Sequence, residues 1–104
     1  MSIKITIERK FKEALMPEHL RAIEELRIKA LRQKGYIGGE TVVNFDDNRE
    51  VLVLSAWSSL DDWKTWISNQ ERVQLENELA SHLKEPVRIR AFMSSADYAK
   101  KAFA

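Results

Sequence analysis

The sequence predicts an α+β fold of the split βαβ kind, a four-stranded antiparallel sheet with its helices on one face. Three observations carry this expectation. Ile3, Ile5, Ile7 and Phe11 alternate with Lys4, Thr6, Glu8 and Lys10, the period of a strand with one apolar side. Apolar residues then recur at helical spacing between Pro17 and Lys34. The remaining signals read strand, strand, helix, helix, strand, so the order is β-α-β-β-α-α-β, the ferredoxin-like arrangement.

Each element has a local cause. In the first strand Arg9 shares the parity of the isoleucines, which makes it either an edge residue snorkelling to solvent or a pocket residue. Pro17 suits the first position of a helix, where its missing N–H is not needed. That helix is expected to run to about Lys34, with Leu20, Ile23, Leu26, Ala30 and Leu31 as its buried stripe. Glu18 near its start and Arg32 and Lys34 near its end complement the helix dipole. Gly35 closes it as a left-handed cap. His19 is expected at an exposed helix start, and Arg21, Glu24, Glu25, Lys29 and Arg32 form a solvated face.

Tyr36-Ile37-Gly38-Gly39 reads as a connection into a second strand from Thr41 to Phe45. Asp46-Asp47-Asn48 is a hairpin turn, and Val51 to Trp57 the third strand. The run VLVLSAW is apolar on both faces, which marks a strand whose second face also needs cover. So short a chain lacks the elements to supply it, so pairing of two sheets into a dimeric α+β barrel is expected. Ser59 with Asp62 fits a capping box, ahead of Leu60, Trp63, Trp66 and Ile67 on one helical face (Ser58 with Asp61 is the other frame). A longer helix follows from about Gln70 to Leu83, with Leu75, Leu79 and Leu83 buried and Val73 and Ala80 beside them. Pro86 stops it. Val87, Ile89, Ala91 and Met93 alternate with Arg88, Arg90 and Phe92 as the last strand. The tail, about 94–104, is expected to form a short helix bearing Tyr98 and Phe103, docked on its own sheet or on a partner.

Length and composition narrow the function classes. A chain of 104 residues predicts a single domain, 1–104. Its 17 basic and 16 acidic residues give a net charge of +1, against a nucleic-acid binder. There are no cysteines, hence no disulfide and no thiolate metal site. The N-terminus lacks a signal-peptide pattern and no apolar run reaches membrane length, so a cytoplasmic location without membrane contact is expected. Gly38-Gly39 lacks the surroundings of a phosphate-cradling loop.

The stretch Ser55–Leu79 holds all three tryptophans. A strand ending Ala56-Trp57-Ser58-Ser59, a capped helix carrying Trp66, a further helix, Gly38-Gly39 before the second strand and Val87–Met93 as the last resemble the antibiotic biosynthesis monooxygenase family. The resemblance covers Ile3 to Met93. It implies a dimeric α+β barrel with a pocket between sheet and helices. Some members of the family oxidise aromatic or polyketide-like substrates there with O₂ and no metal or flavin; another branch degrades haem. For the haem branch the resemblance implies an axial histidine where this chain has Glu76 and an asparagine on the first strand where it has Arg9. His82 lies six residues past Glu76, about 120° around an ideal helix from it.

The candidate site residues are therefore Trp66, Arg9, Glu76, Asn44 and His82, with no cofactor and no metal. Trp66 is equally core packing and pocket lining, and Trp57 is expected to pack against the following turn. Asn44 can hold a phenol or enolate by hydrogen bonds, or simply face solvent. Arg9 offers a cation for a developing anion, and Glu76 or His82 a base. Arg88 and Arg90 share a face, to bind an acidic ligand or pair with Glu8 and Glu40 across a dimer. The function expected is a homodimeric, cofactor-independent monooxygenase acting on a small aromatic, quinol or polyketide-like substrate. The alternatives are a non-catalytic dimeric small-ligand-binding or stress-response domain and, third, a haem-degrading monooxygenase.

Overall fold

In the computed structural model, which describes residues 1–104, the chain runs β1 (Ile3–Lys10), α1 (Pro17–Ala30), β2 (Tyr36–Val43), β3 (Glu50–Trp57), α2 (Leu60–Ile67), α3 (Gln70–Ala80), β4 (Arg88–Phe92) and α4 (Ser95–Phe103). The strands form one antiparallel sheet in the order β2-β3-β1-β4. The fold is the α+β, ferredoxin-like arrangement that the order of elements predicted. No helix is long and apolar enough to cross a membrane.

Register decides which residues share a face. Ile3 lies opposite Trp57, Ile5 opposite Ser55, Ile7 opposite Val53 and Arg9 opposite Val51. With side chains alternating along each strand, these eight residues occupy one face. Ile23, Leu26 and Ala30 of α1, Trp63 and Trp66 of α2, and Leu75 and Leu79 of α3 close the core over it. The other face carries Thr6, Glu8, Val42, Leu52, Leu54, Arg90 and Phe92, and none of these is buried. Within that face Arg88 and Arg90 both pair with Glu8 of the same chain, at 3.7 and 3.5 Å.

Several expectations are corrected. Helix α1 ends at Ala30, with Leu31 as a right-handed C-cap, and Leu20 and Leu31 are exposed. The buried stripe is instead His19, Ile23, Leu26 and Ala30. His19 is not solvated: its Nδ1 accepts the Met16 N–H at 3.0 Å, and its ring packs 4.8 Å from Phe11 and 5.0 Å from His82. That contact fixes how α1 starts and rotates its apolar stripe away from Leu20. Strand β2 begins at Tyr36, because Gly38-Gly39 is extended and pairs with Ala56-Ser55 after a bulge. Asn44 and Phe45 lie beyond it in the turn. Leu60 and Val73 are exposed. Helix α3 ends at Ala80, ahead of Pro86, and Leu83 returns to bridge Phe11. In α4 no residue is buried; Tyr98 and Phe103 are exposed and meet edge-on at 5.8 Å, so the tail does not bury itself on its own sheet.

Capping holds the helices that roof the core. Ser59 Oγ accepts the Asp62 N–H at 3.1 Å, as the sequence implied, and Asn69 Oδ1 accepts from Glu71 N–H at 2.9 Å. Gly35 has φ +86°, and its carbonyl accepts the Ser58 N–H at 2.7 Å, tying the entry of β2 to the exit of β3. A Cβ there would overlap the Asp62 side chain. Gly35→Ala should therefore cost about 1–3 kcal/mol. Urea unfolding checks this, and an unchanged midpoint would show that the turn relaxes freely.

Candidate functional site

A cavity opens between the inner face of the sheet and helices α1–α3. The cavity is small, about 50 Å³, and about 490 Å³ of empty space lies between its walls when the open mouth is included. One end is aromatic. Trp57 ends β3 and is 1% exposed; Tyr36 meets it edge-on at 5.2 Å and Trp63 at 5.7 Å. The Trp57 indole N–H donates to Ser55 Oγ at 3.2 Å. Trp66, one helical turn after Trp63, also lines the space and is buried. Trp66 is thus core and cavity wall at once. Trp57 is a wall residue rather than a contact of the turn alone.

The other end is charged. Arg9 sits on the inner face because β1 alternates, and it is 2% exposed, which excludes snorkelling. Its Nη2 donates to Glu76 Oε1 in an ion pair between β1 and α3. Arg72, one helical turn before Glu76, places its own Nη2 at 3.6 Å from the same oxygen. Arg72 Nη1 donates to the Ile67 carbonyl at 3.3 Å, and its guanidinium lies 5.6 Å from the centre of the Trp63 ring. Burial lowers the pKa of Arg72 below the usual arginine value; Glu76 opposes this and Arg9 adds to it. Arg9 Nε and Arg72 Nη2 are buried without a hydrogen-bond partner.

The structure therefore gathers Trp66, Arg9 and Glu76 into one cavity, and leaves Asn44 and His82 outside it. Asn44 Oδ1 accepts the Asp46 N–H at 2.8 Å and serves the turn. His82 follows the end of α3 and packs on His19. With neither histidine in the cavity and Glu76 paired to two arginines, the residues present do not fit haem bound through an axial histidine. Tyr36 and Arg72 were missed by sequence reasoning. The signal for Arg72 was present: it falls three and seven residues before Leu75 and Leu79, on the stripe of α3 that faces the core.

The comparisons with known proteins follow the fold. No protein-family model matches the chain, and no curated protein sequence does. Solved structures do. A provisionally named antibiotic biosynthesis monooxygenase from Nitrosomonas europaea superposes with a TM-score of 0.82 at 12% identity, over 90% of each chain. SnoaB from Streptomyces nogalater, a cofactor-independent oxygenase solved as a point mutant, gives 0.81 at 10% identity, over 90% of this chain and 93% of that one. A conserved protein from Methanosarcina mazei Go1 gives 0.78 at 14% identity, over 91% and 94%. At such identities the likeness is one of fold. The chain has the fold of the antibiotic biosynthesis monooxygenases, as its tryptophan stretch implied.

Proposed function

We propose that this chain is a homodimeric, cofactor-independent monooxygenase whose cavity takes a small aromatic or quinol-like substrate. The observation that supports this most is the pairing of an aromatic wall with a buried charged end in a single cavity. The fold adds support, since SnoaB, which shares it, is a cofactor-independent oxygenase. Fold alone would not suffice, because one architecture hosts many functions.

The chemistry needs no external reductant. An anthrone-like carbon bearing two hydrogens loses one as a proton, giving an anion spread over the rings. That anion passes one electron to O₂, and the resulting radicals join in a carbon–oxygen bond. Protonation gives a hydroperoxide; loss of water takes the second hydrogen and leaves a carbonyl. One oxygen atom ends in product and one in water, with all four electrons drawn from the substrate. In this reading the tryptophans hold the ring plane and exclude water. Arg9 and Arg72 stabilise the anion electrostatically. Glu76 accepts the proton through Oε2, since both arginines make their closest approach to Oε1.

One observation favours a non-catalytic ligand-binding domain as the second reading. Both guanidiniums already converge on Glu76 Oε1, and a carboxylate so engaged is a poor base. Oxygen uptake separates the two. On a panel of anthrones and hydroquinones, with metal-free protein, the wild type should consume O₂. Trp66→Phe should lower kcat/KM roughly tenfold to a hundredfold, the scale expected when a substrate is mispositioned. No uptake from any panel member would favour the binding domain.

The homodimer belongs to the same proposal. Leu52, Leu54, Val42 and Phe92 give the outer sheet face an apolar surface that a second sheet can cover. Helix α4, with Tyr98 and Phe103 exposed, is free to dock on the partner. We place the protein in the cytoplasm, without nucleic-acid or membrane partners. Light scattering should give twice the chain mass of 12.1 kDa at micromolar concentration. Leu52→Glu should give the monomer, and a dimeric Leu52→Glu protein would move the interface elsewhere.

A further inference from the structure

We infer that the buried guanidiniums of Arg72 and Arg9 form an anion site, so that the cavity's ligand is a flat aromatic molecule carrying a carboxylate. The inference rests on reading the cavity as a ligand site and names the chemical class that site would take.

Two guanidiniums share one carboxylate, and both make their closest approach to the same oxygen of it. Each guanidinium has five N–H donors in a planar fork and no acceptor. Arg72 uses one on the Ile67 carbonyl and leaves Nη2 without a hydrogen bond; Arg9 leaves Nε. Both residues are more than nine-tenths buried, at 6% and 2% exposure, and both line the cavity. An ion pair serving the fold alone needs one cation per carboxylate. Here the second cation adds burial cost, and its bond to the Ile67 carbonyl leaves Nη2 unpaired. The depressed pKa of Arg72 has the same origin, desolvation outweighing the help from Glu76. A further anion at the cavity end would pair the free donors, and the guanidinium fork suits a planar carboxylate. Trp63 lies beside Arg72, with the guanidinium carbon 5.6 Å from the ring centre. The cavity is small and walled by Trp57, Trp63 and Trp66, and a flat ring stacks against such walls more readily than a bulky group.

The test is a matched pair of ligands, naphthoate and naphthamide substituted at the same ring position, titrated against full-length protein under nitrogen. Quenching of the cavity tryptophans reports binding without turnover. Naphthoate should bind at least roughly tenfold more tightly than naphthamide, the effect of one charge-assisted hydrogen bond. Arg72→Gln should erase that preference, weakening naphthoate far more than naphthamide. Glu76→Gln removes the internal competitor and should raise both naphthoate affinity and the Tm increase that naphthoate produces. The wild-type comparison of the two ligands keeps the test decisive if either variant folds poorly. Equal affinity of wild type for the two ligands, or a preference that survives Arg72→Gln, would overturn the anion site while leaving the aromatic cavity intact. Failure of both ligands to quench would overturn the cavity reading with it. A negative oxygen-uptake experiment bears on the chemistry and leaves this result standing.

Discussion

The ion pair between Arg9 and Glu76 is the constraint on which the rest of the site depends. The period of a strand leaves Arg9 no choice: with Ile3, Ile5 and Ile7 facing the core, it faces the core too. A guanidinium there is tolerable only if a carboxylate meets it, and the carboxylate comes from α3, 67 residues later. Breaking such a pair by removing one partner costs about 3–5 kcal/mol, because a charge stays buried alone. The pair therefore locks α3 to the centre strand of the sheet. Helix α2 is short and bounded by the caps Ser59 and Asn69, so its placement follows from β3 and α3. The cavity is the space left when these three elements are fixed and the large rings of Trp63 and Trp66 line it.

The fold was legible because its signals are periodic. Alternation located β1 and β4, a run apolar on both faces located β3, and the split βαβ order followed from counting elements. The errors cluster where one contact overrides a local pattern. Leu20 and Leu31 carry helical spacing, yet His19 takes the inward position by capping Met16 and stacking between Phe11 and His82. No hydropathy pattern marks a histidine for that role. Gly38-Gly39 looked like a turn because glycine usually makes one. In the sheet Gly39 instead lets the backbone of Leu54 approach where a side chain could not fit.

The site was half legible for the same physical reason. Parity flagged Arg9, and the family resemblance flagged Glu76 and Trp66, but neither could bring Arg9 to Glu76 across the fold. Arg72 escaped notice because a charged residue in a charged helix reads as solvated. Its place on the Leu75–Leu79 stripe was the same sign that parity gave for Arg9. A charge on the buried phase of an element, whether the period is 2 or 3.6, was the one pattern that located the charged end of the cavity.

This chain differs from what the resemblance implies for the haem branch at both residues of the ion pair. For the haem branch it implies histidine at position 76 and asparagine on the first strand at position 9. Glutamate and arginine stand there instead, and they pair with each other. One substitution alone would bury an unmatched charge, so the two residues make sense only together. Neither residue is an imidazole ligand for a metal, and Arg72 brings a second cation to the same carboxylate. A cavity that receives an organic anion has use for both guanidiniums, one to hold Glu76 in place and one to meet the ligand.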